Sequence, residues 1–324
     1  MELYLNKKIV SAVLKNIPKN KKTVVYLVNT LKISRESAYR RIRGDIPFTA
    51  RELITLAADL DFSLDAIFVQ EKQNRTFMDY SKIGKNSPDF FLFMLDRYNG
   101  LLEKMSYAKK MEAIMAFNTF PPPFYVDFHS LFKFSYYKWL YQGKEIFWNK
   151  TYSETVLPDE AFVFQRKIIN TFTGKKNIAL ILDMNIFLNL IKEIEYFYNR
   201  KLLTNEELLM FKEDMLRLIE KCEEVARTGI LGYARIQLYL SPLCVNSNSV
   251  HYEYDDKVEP LFWTFTVNPV VIQNTEFASM QLKWLNSLKR QSALITQSNE
   301  IMQAEFFFQQ REYIEKYLVI NTGI

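Results

Sequence analysis

Apolar residues recur at helical spacing from the start of the chain. Leu3, Ile9, Val10, Val13, Leu14 and Ile17 predict an amphipathic helix over residues 2–16, stopped by Ile17-Pro18. The polar stretch Lys19-Asn20-Lys21-Lys22 leads to a second helix capped by Thr23, with Val24, Leu27, Val28 and Leu31 turned inward. Ile33 fills the corner, and Ser34 caps a third helix that ends at Gly44. Ala38 and Ile42, four apart, form the packing stripe of that helix. Glu36, Tyr39, Arg40 and Arg43 point the other way, with Ser37 and Arg41 on the flanks. Thr49 and Glu52 make a capping box for a fourth helix, whose inner stripe is Leu53, Leu56, Ala57 and Leu60. Phe62 and a short Ser63-capped helix carrying Leu64, Ile67 and Phe68 close this first module.

Residues 70–89 are polar, with Gly84 and Pro88, and read as a linker. The pattern beyond them predicts a long helix from Phe90 to about Phe117, broken near Asn99-Gly100 and stopped by Pro121-Pro122-Pro123. Twelve aromatic residues crowd residues 124–152, a density that suits an apolar ligand pocket, a dimer interface or, more commonly, a packed core. His129 in this run reads as an ordinary core or surface imidazole. The apolar run Ile178–Met184 fits either a buried strand or the front of the next helix. Helices follow on Ile186, Leu190, Ile194, Phe197 and Tyr198, and on the stripe Leu208, Phe211, Met215, Leu218, Cys222 and Val225. Thr204 and Glu207 cap the second of these, and Gly229 and Gly232 end it. The period then drops to two over Tyr233–Leu240, Ser249–Asp255 and Leu261–Val267, which predicts three half-buried strands in an antiparallel meander, with His251 on the polar face. Helices over about 276–295 and 299–318 finish the chain. The expected fold is mainly α: a five-helix module (1–69), a linker (70–89), and an α+β, mostly helical body (90–324) with a short antiparallel meander near 233–267.

Charge sharpens this division. Residues 1–75 carry 14 Lys/Arg against 8 Asp/Glu, whereas the remainder carries 28 against 29. The whole-chain excess of +5 therefore resides in the first quarter, concentrated between Lys21 and Arg43, as in a module that faces a polyanion. Other chemistry is sparse. Cys222 and Cys244 match no disulfide framework or zinc spacing and read as buried thiols; with only two histidines besides, no metal and no cofactor is expected. There is no phosphate-binding glycine loop, since Ile169 stands where one would need glycine before Gly174-Lys175, and no nucleophile elbow, so no enzyme is expected. The opening MELYLNKKIV lacks an apolar signal core, and no run of about eighteen apolar residues occurs. A cytoplasmic protein with no membrane partner is the expectation.

The first module resembles the lambda-repressor-like (Cro/C1, XRE) helix–turn–helix family over residues 1–69. The resemblance rests on Leu27-Val28, on Leu31-Lys32-Ile33-Ser34, on Ala38-Tyr39-Arg40-Arg41-Ile42-Arg43-Gly44, and on Pro47, Leu53, Ala57 and Leu60-Asp61-Phe62-Ser63-Leu64-Asp65. It implies five helices, the third of them reading DNA in the major groove, and a homodimer on a two-fold operator. On that pattern Arg35, Glu36, Ser37, Tyr39 and Arg40 are base readers, and Lys22 and Thr23 meet phosphate. With Ser34 and Arg43, these make up the expected DNA-facing set. The chain has Val24, Val28 and Lys32 where the family commonly has a glutamine, a small residue and a turn glycine. The resemblance and the charge together imply a transcription regulator acting on double-stranded DNA. Its body would serve dimerisation and has room to sense a small-molecule or peptide effector. Two other readings keep the same residues: a peptide-sensing regulator with a helical-repeat body, and an interaction adaptor that touches no DNA.

Overall fold

The computed structural model describes residues 2–18, 22–60, 62, 64, 88–108, 110–143, 146–171, 177–232, 234–255, 257–264, 268–272 and 274–320. The chain divides into two compact units, Met1–Phe77 and Met78–Ile324.

The described part of the first unit is helical: α1 (Glu2–Asn16), α2 (Thr23–Leu31), α3 (Arg35–Arg43) and α4 (Ala50–Leu60). Ile9, Val10, Val13 and Ile17 from α1 and its exit meet Leu27, Ala38, Leu53 and Leu56 in one core, with Ile42, Phe62 and Leu64 packed against it. The expected inward stripes face this core in part: Val24, Val28, Leu31 and Leu60 pack against it half-buried, and the side chain of Leu3 lies outside the described residues. Leu14 is an exception and stays exposed. Thr23 is the first helical residue of α2 rather than its cap; Lys22 holds the cap position in extended conformation and makes no side-chain cap bond. Tyr26, absent from the expected stripe, is buried and its hydroxyl donates to Asp59 on α4. Burial and that bond push the Tyr26 hydroxyl up to about 12. The expected Ser63-capped helix and most of the expected linker lie outside the described residues.

The second unit is built on a mixed sheet. Its elements, in order, are α5 (Pro88–Ser106), β1 (Met111–Phe117), α6 (Pro122–Tyr125), α7 (His129–Gln142), α8 (Asp159–Thr171), β2 (Asn177–Asp183), α9 (Ile186–Asn199) and α10 (Asn205–Thr228). There follow β3 (Ile230–Leu231), β4 (Ala234–Ser241), β5 (Ser249–Tyr254), β6 (Lys257–Thr264), β7 (Asn268–Val271), α11 (Thr275–Gln291), β8 (Ala293–Leu294) and α12 (Glu300–Tyr317). Strand order is β3-β4-β2-β1-β5-β6-β7, with β8 on the far end of β4. The three central strands β4, β2 and β1 are parallel, and β5, β6 and β7 continue antiparallel from β1. One face carries Met115, Leu180 and Leu238 into a core with α7, α9, α10 and α12; the other carries Ile114, Ala116, Ala179 and Ile181 under Leu285 and Leu288 of α11. Helices on both faces leave β2 buried at six of its seven positions, as parallel central strands require.

This arrangement corrects the expected meander. The run β5-β6-β7 is one, but β4 lies two strands away from β5, beyond β1 and β2. Period-two patterning marks strands without naming their neighbours. The helix expected from Phe90 to Phe117 is also corrected: it ends at Ser106, does not break at Gly100, and gives way to β1. A Cβ at Gly100 would meet nothing within 4 Å, so that glycine is neither a break nor a close approach. Ile178–Met184 resolves as strand, nearly all of it in β2.

Most of the aromatic run is core. Phe124, Phe132, Phe134, Tyr136, Tyr137, Trp139 and Tyr152 are buried, whereas Phe147 and Trp148 are exposed. His129 stacks on Phe162 at a centroid distance of 6.1 Å. The start of α7 is held by a distant carboxylate. Its cap residue Phe128 offers no side-chain acceptor, and buried Asp214 from α10 takes both the Ser130 N–H, at 3.1 Å, and the Ser130 hydroxyl. Asp214→Ala would leave those donors buried without an acceptor. We expect it to lower stability by about 2 kcal/mol, read from the midpoint of a denaturant titration followed by tryptophan fluorescence.

Candidate nucleic-acid interface

The α2–α3 corner sets the geometry. Lys32 ends α2 in the left-handed region (φ 52°, ψ 45°), which turns the chain into Ser34. Ser34 is the cap of α3 and accepts from the Ser37 N–H at 3.1 Å. At the other end Gly44 adopts φ 81°, and its N–H closes on the carbonyls of Arg40 and Arg41. A side chain there would be strained in the backbone itself, whatever the space around it. Asn6 Nδ2 donates to the Gly44 carbonyl at 3.0 Å and fastens α1 to this exit. Lys32→Gly should raise stability by up to about 1 kcal/mol, since glycine adopts the turn conformation without strain. Hydrogen exchange of the α2 and α3 amides checks this.

Ala38 is fully buried and Ile42 half-buried, so the predicted stripe does pack. Arg35, Glu36, Tyr39, Arg40 and Arg43 are exposed on the remaining surface of α3, together with Lys22 and Lys32 nearby. The guanidinium groups of Arg35 and Arg40 make no ion pair or hydrogen bond among the described residues. Arg43 pairs with Asp45 at 2.9 Å, an exposed contact that water screens. Tyr39 remains half exposed.

Three expected members of the set do structural work. Ser34 is spent on the cap. Thr23 is half-buried as the first residue of α2. Ser37 accepts from Arg41 through both its hydroxyl, at 2.7 Å, and its carbonyl, at 3.3 Å. Arg41 itself departs from its expected flanking position. It is buried and forms two bonds to Glu52, Nε to Oε2 at 3.0 Å and Nη2 to Oε1 at 2.8 Å. Glu52 also accepts from the Thr49 N–H at 2.8 Å, completing the expected capping box. One carboxylate thus caps α4 and locks α3 against it. Burial opposes the charge on Glu52, but the bonds from Arg41 and Thr49 outweigh it and hold the carboxyl below its ordinary range. The Thr49-x-x-Glu52 spacing flagged one use of this carboxylate; nothing in the local pattern announced the partner eleven residues earlier.

Cys222 is buried among apolar side chains, which pushes its thiol up, while Cys244 is exposed, contrary to the expectation that both are buried. His251 is also buried rather than on a polar face. Its Nδ1 lies 3.4 Å from Gln281 of α11 and its Nε2 lies 3.2 Å from Glu253. Among the described residues no group of three or more His, Cys, Asp or Glu is placed to hold a metal ion, and no helix is long and apolar enough to cross a membrane. No protein-family model, curated protein or solved structure matches the chain.

Proposed function

We propose that this protein is a sequence-specific, double-stranded-DNA-binding transcription regulator, with a lambda-repressor-like reader in its first unit. The observation that carries the reading is the division of α3. One stripe packs on Ala38 and Ile42; Arg40 lies on the opposite surface and Arg35 stands exposed in the first turn, and neither guanidinium group is committed among the described residues. Arginine recognises guanine N7 and O6 through two parallel bonds, and a helix presenting such side chains in its first turn (Arg35) and along its exposed face (Arg40) fits the major groove. Glu36 and Tyr39 flank them as further base contacts. Lys22, at the start of α2, supplies a phosphate contact, and Arg43 a second once Asp45 releases it. Thr23, Ser34 and Ser37 take part through the backbone positions they fix.

The second unit serves dimerisation in this reading and carries no catalytic role. Its mixed eight-stranded sheet weighs against the helical-repeat variant of the proposal. A homodimer would place two α3 helices about 34 Å apart, one turn of DNA, on a two-fold site. Selection from a random duplex pool tests this. Enrichment of a motif with two inverted half-sites about one helical turn apart is the expected result. Recovery of unenriched pool sequences with no salt-sensitive retention would favour the adaptor reading instead.

A further inference from the structure

We propose that the cleft at the carboxyl end of β1 binds a small, uncharged, largely apolar molecule, about the size of one aromatic ring with one hydrogen-bonding group. The inference concerns the second unit by itself and does not depend on the DNA-binding reading.

The topology picks out the place. Successive crossovers carry the chain from β1 to β2 and from β2 to β4 in one direction, while β5 lies on the opposite side of β1. The strand order therefore reverses at the border of β1 and β5. In open α/β sheets ligands bind in crevices outside the carboxyl ends of the parallel strands where the order reverses; here β5 is antiparallel, so the crevice lies between the exit of β1 and the entry of β5. Here Phe117 and Thr119 leave β1 beside Asn248, which enters β5 next to Trp263 at the end of β6. The rim is pinned in place. Asn248 Nδ2 donates to Thr119 Oγ1 at 2.7 Å, its Oδ1 accepts from the Asn118 N–H at 2.8 Å, and the Trp263 N–H donates to the Asn248 carbonyl at 2.9 Å.

A cleft of about 60 Å³ opens here between the sheet end, α5 and the Pro121-Pro122 turn. A second chamber of about 20 Å³ shares Tyr98, Phe117, Pro121 and Trp263 as walls. One water-sized group needs about 10–15 Å³, so the two together hold roughly six such groups, the bulk of a single ring. Aromatic faces from Phe91, Phe117, Phe120 and Trp263 line the space, and none of its lining residues is charged. A charged ligand would meet no counter-charge there and would lose its hydration. The polar handles are hydroxyls. Tyr98 and Tyr252 are at least nine-tenths buried, line the inner chamber, and have no hydrogen-bond partner among the described residues. Burial pushes both hydroxyls well above their ordinary range, so at neutral pH each is a neutral group able to donate to a ligand.

The test titrates the full-length protein with 4-fluorobenzyl alcohol, a neutral ring with one hydroxyl, and separately with 4-fluorobenzoate, both followed by 19F NMR. Saturable binding of the alcohol is expected, at least about tenfold tighter than of the carboxylate. Leu95→Trp, which fills the cleft from α5, should abolish it. Tyr98→Phe keeps the ring and removes only the hydroxyl; it should retain the melting temperature and weaken the alcohol about threefold or more. Absence of saturable binding at millimolar alcohol, equal binding of the carboxylate, or binding that both variants leave unchanged would overturn the proposal. None of these readouts involves DNA, so failure here leaves the reading of α3 untouched.

Discussion

Arg41→Ala is expected to destabilise the first unit by about 3 kcal/mol, because it removes one partner of a buried ion pair and strands the other. The side chains of Arg41 and Glu52 are only 10% and 14% exposed. The lost contacts are two bonds to Glu52 and two to Ser37, one to its hydroxyl and one to its carbonyl. Arg41→Lys keeps the charge but not the paired geometry and should fall between the two. The double replacement Arg41→Met with Glu52→Leu should recover much of the loss, since neither side chain is then left charged and alone. All four tryptophans, at positions 139, 148, 263 and 284, belong to the second unit, so their fluorescence does not report this event. Hydrogen exchange of the α3 and α4 amides does.

The same pair sets a pH dependence. Glu52 titrates below its ordinary value of 4.5 in the folded chain. A depressed carboxyl contributes stability that is fully present above the unfolded value and is lost as pH falls through the folded one. The difference between wild type and Glu52→Gln should therefore be constant near neutrality and shrink only in acid below about 4.5. A difference that grows on acidification would contradict the assignment.

Arg40→Ala carries the second large effect, on binding rather than folding. Its side chain is exposed and makes no ion pair or hydrogen bond among the described residues, so the melting temperature should not change. Loss of a bidentate base contact should weaken the selected duplex by about 1–3 kcal/mol, a factor of about 5 to 150, and relax preference at one base pair. Lys22→Ala should instead weaken selected and random duplexes alike. Fluorescence anisotropy on both duplexes separates the two. Equal losses on both for Arg40→Ala would refute its assignment as a base reader.

What could be read in advance follows from the range of the interactions. The ends of α3 are written locally in Ser34 and Gly44, and its buried stripe in Ala38 and Ile42, so the element and its faces were legible. The Thr49–Glu52 and Thr204–Glu207 boxes were legible for the same reason. β1 was not. Met111-Glu112-Ala113-Ile114-Met115-Ala116-Phe117 is rich in helix formers and directly follows a helical pattern; what makes it a strand is pairing with residues 177–182 and 249–254. Buried on both faces, it shows no alternation to betray it. The separation of β4 from β5 was hidden likewise, because the two strands inserted between them come from far earlier in the chain. Arg41 read as a surface cation until the fold brought Glu52 to it, and His251 as a polar-face residue until α11 covered it. The exposure of Arg40 was anticipated by its helical position; the cleft at β1 was not, because its walls come from four separate segments.

The central claim is that the exposed surface of α3 docks on duplex DNA, and salt dependence of binding tests it most directly. Affinity for the selected duplex should fall log-linearly with salt, with a slope of about −0.9 for each phosphate neutralised, and Lys22→Ala should flatten that slope by about 1. Binding that is absent at low salt, or that does not respond to salt at all, would contradict it.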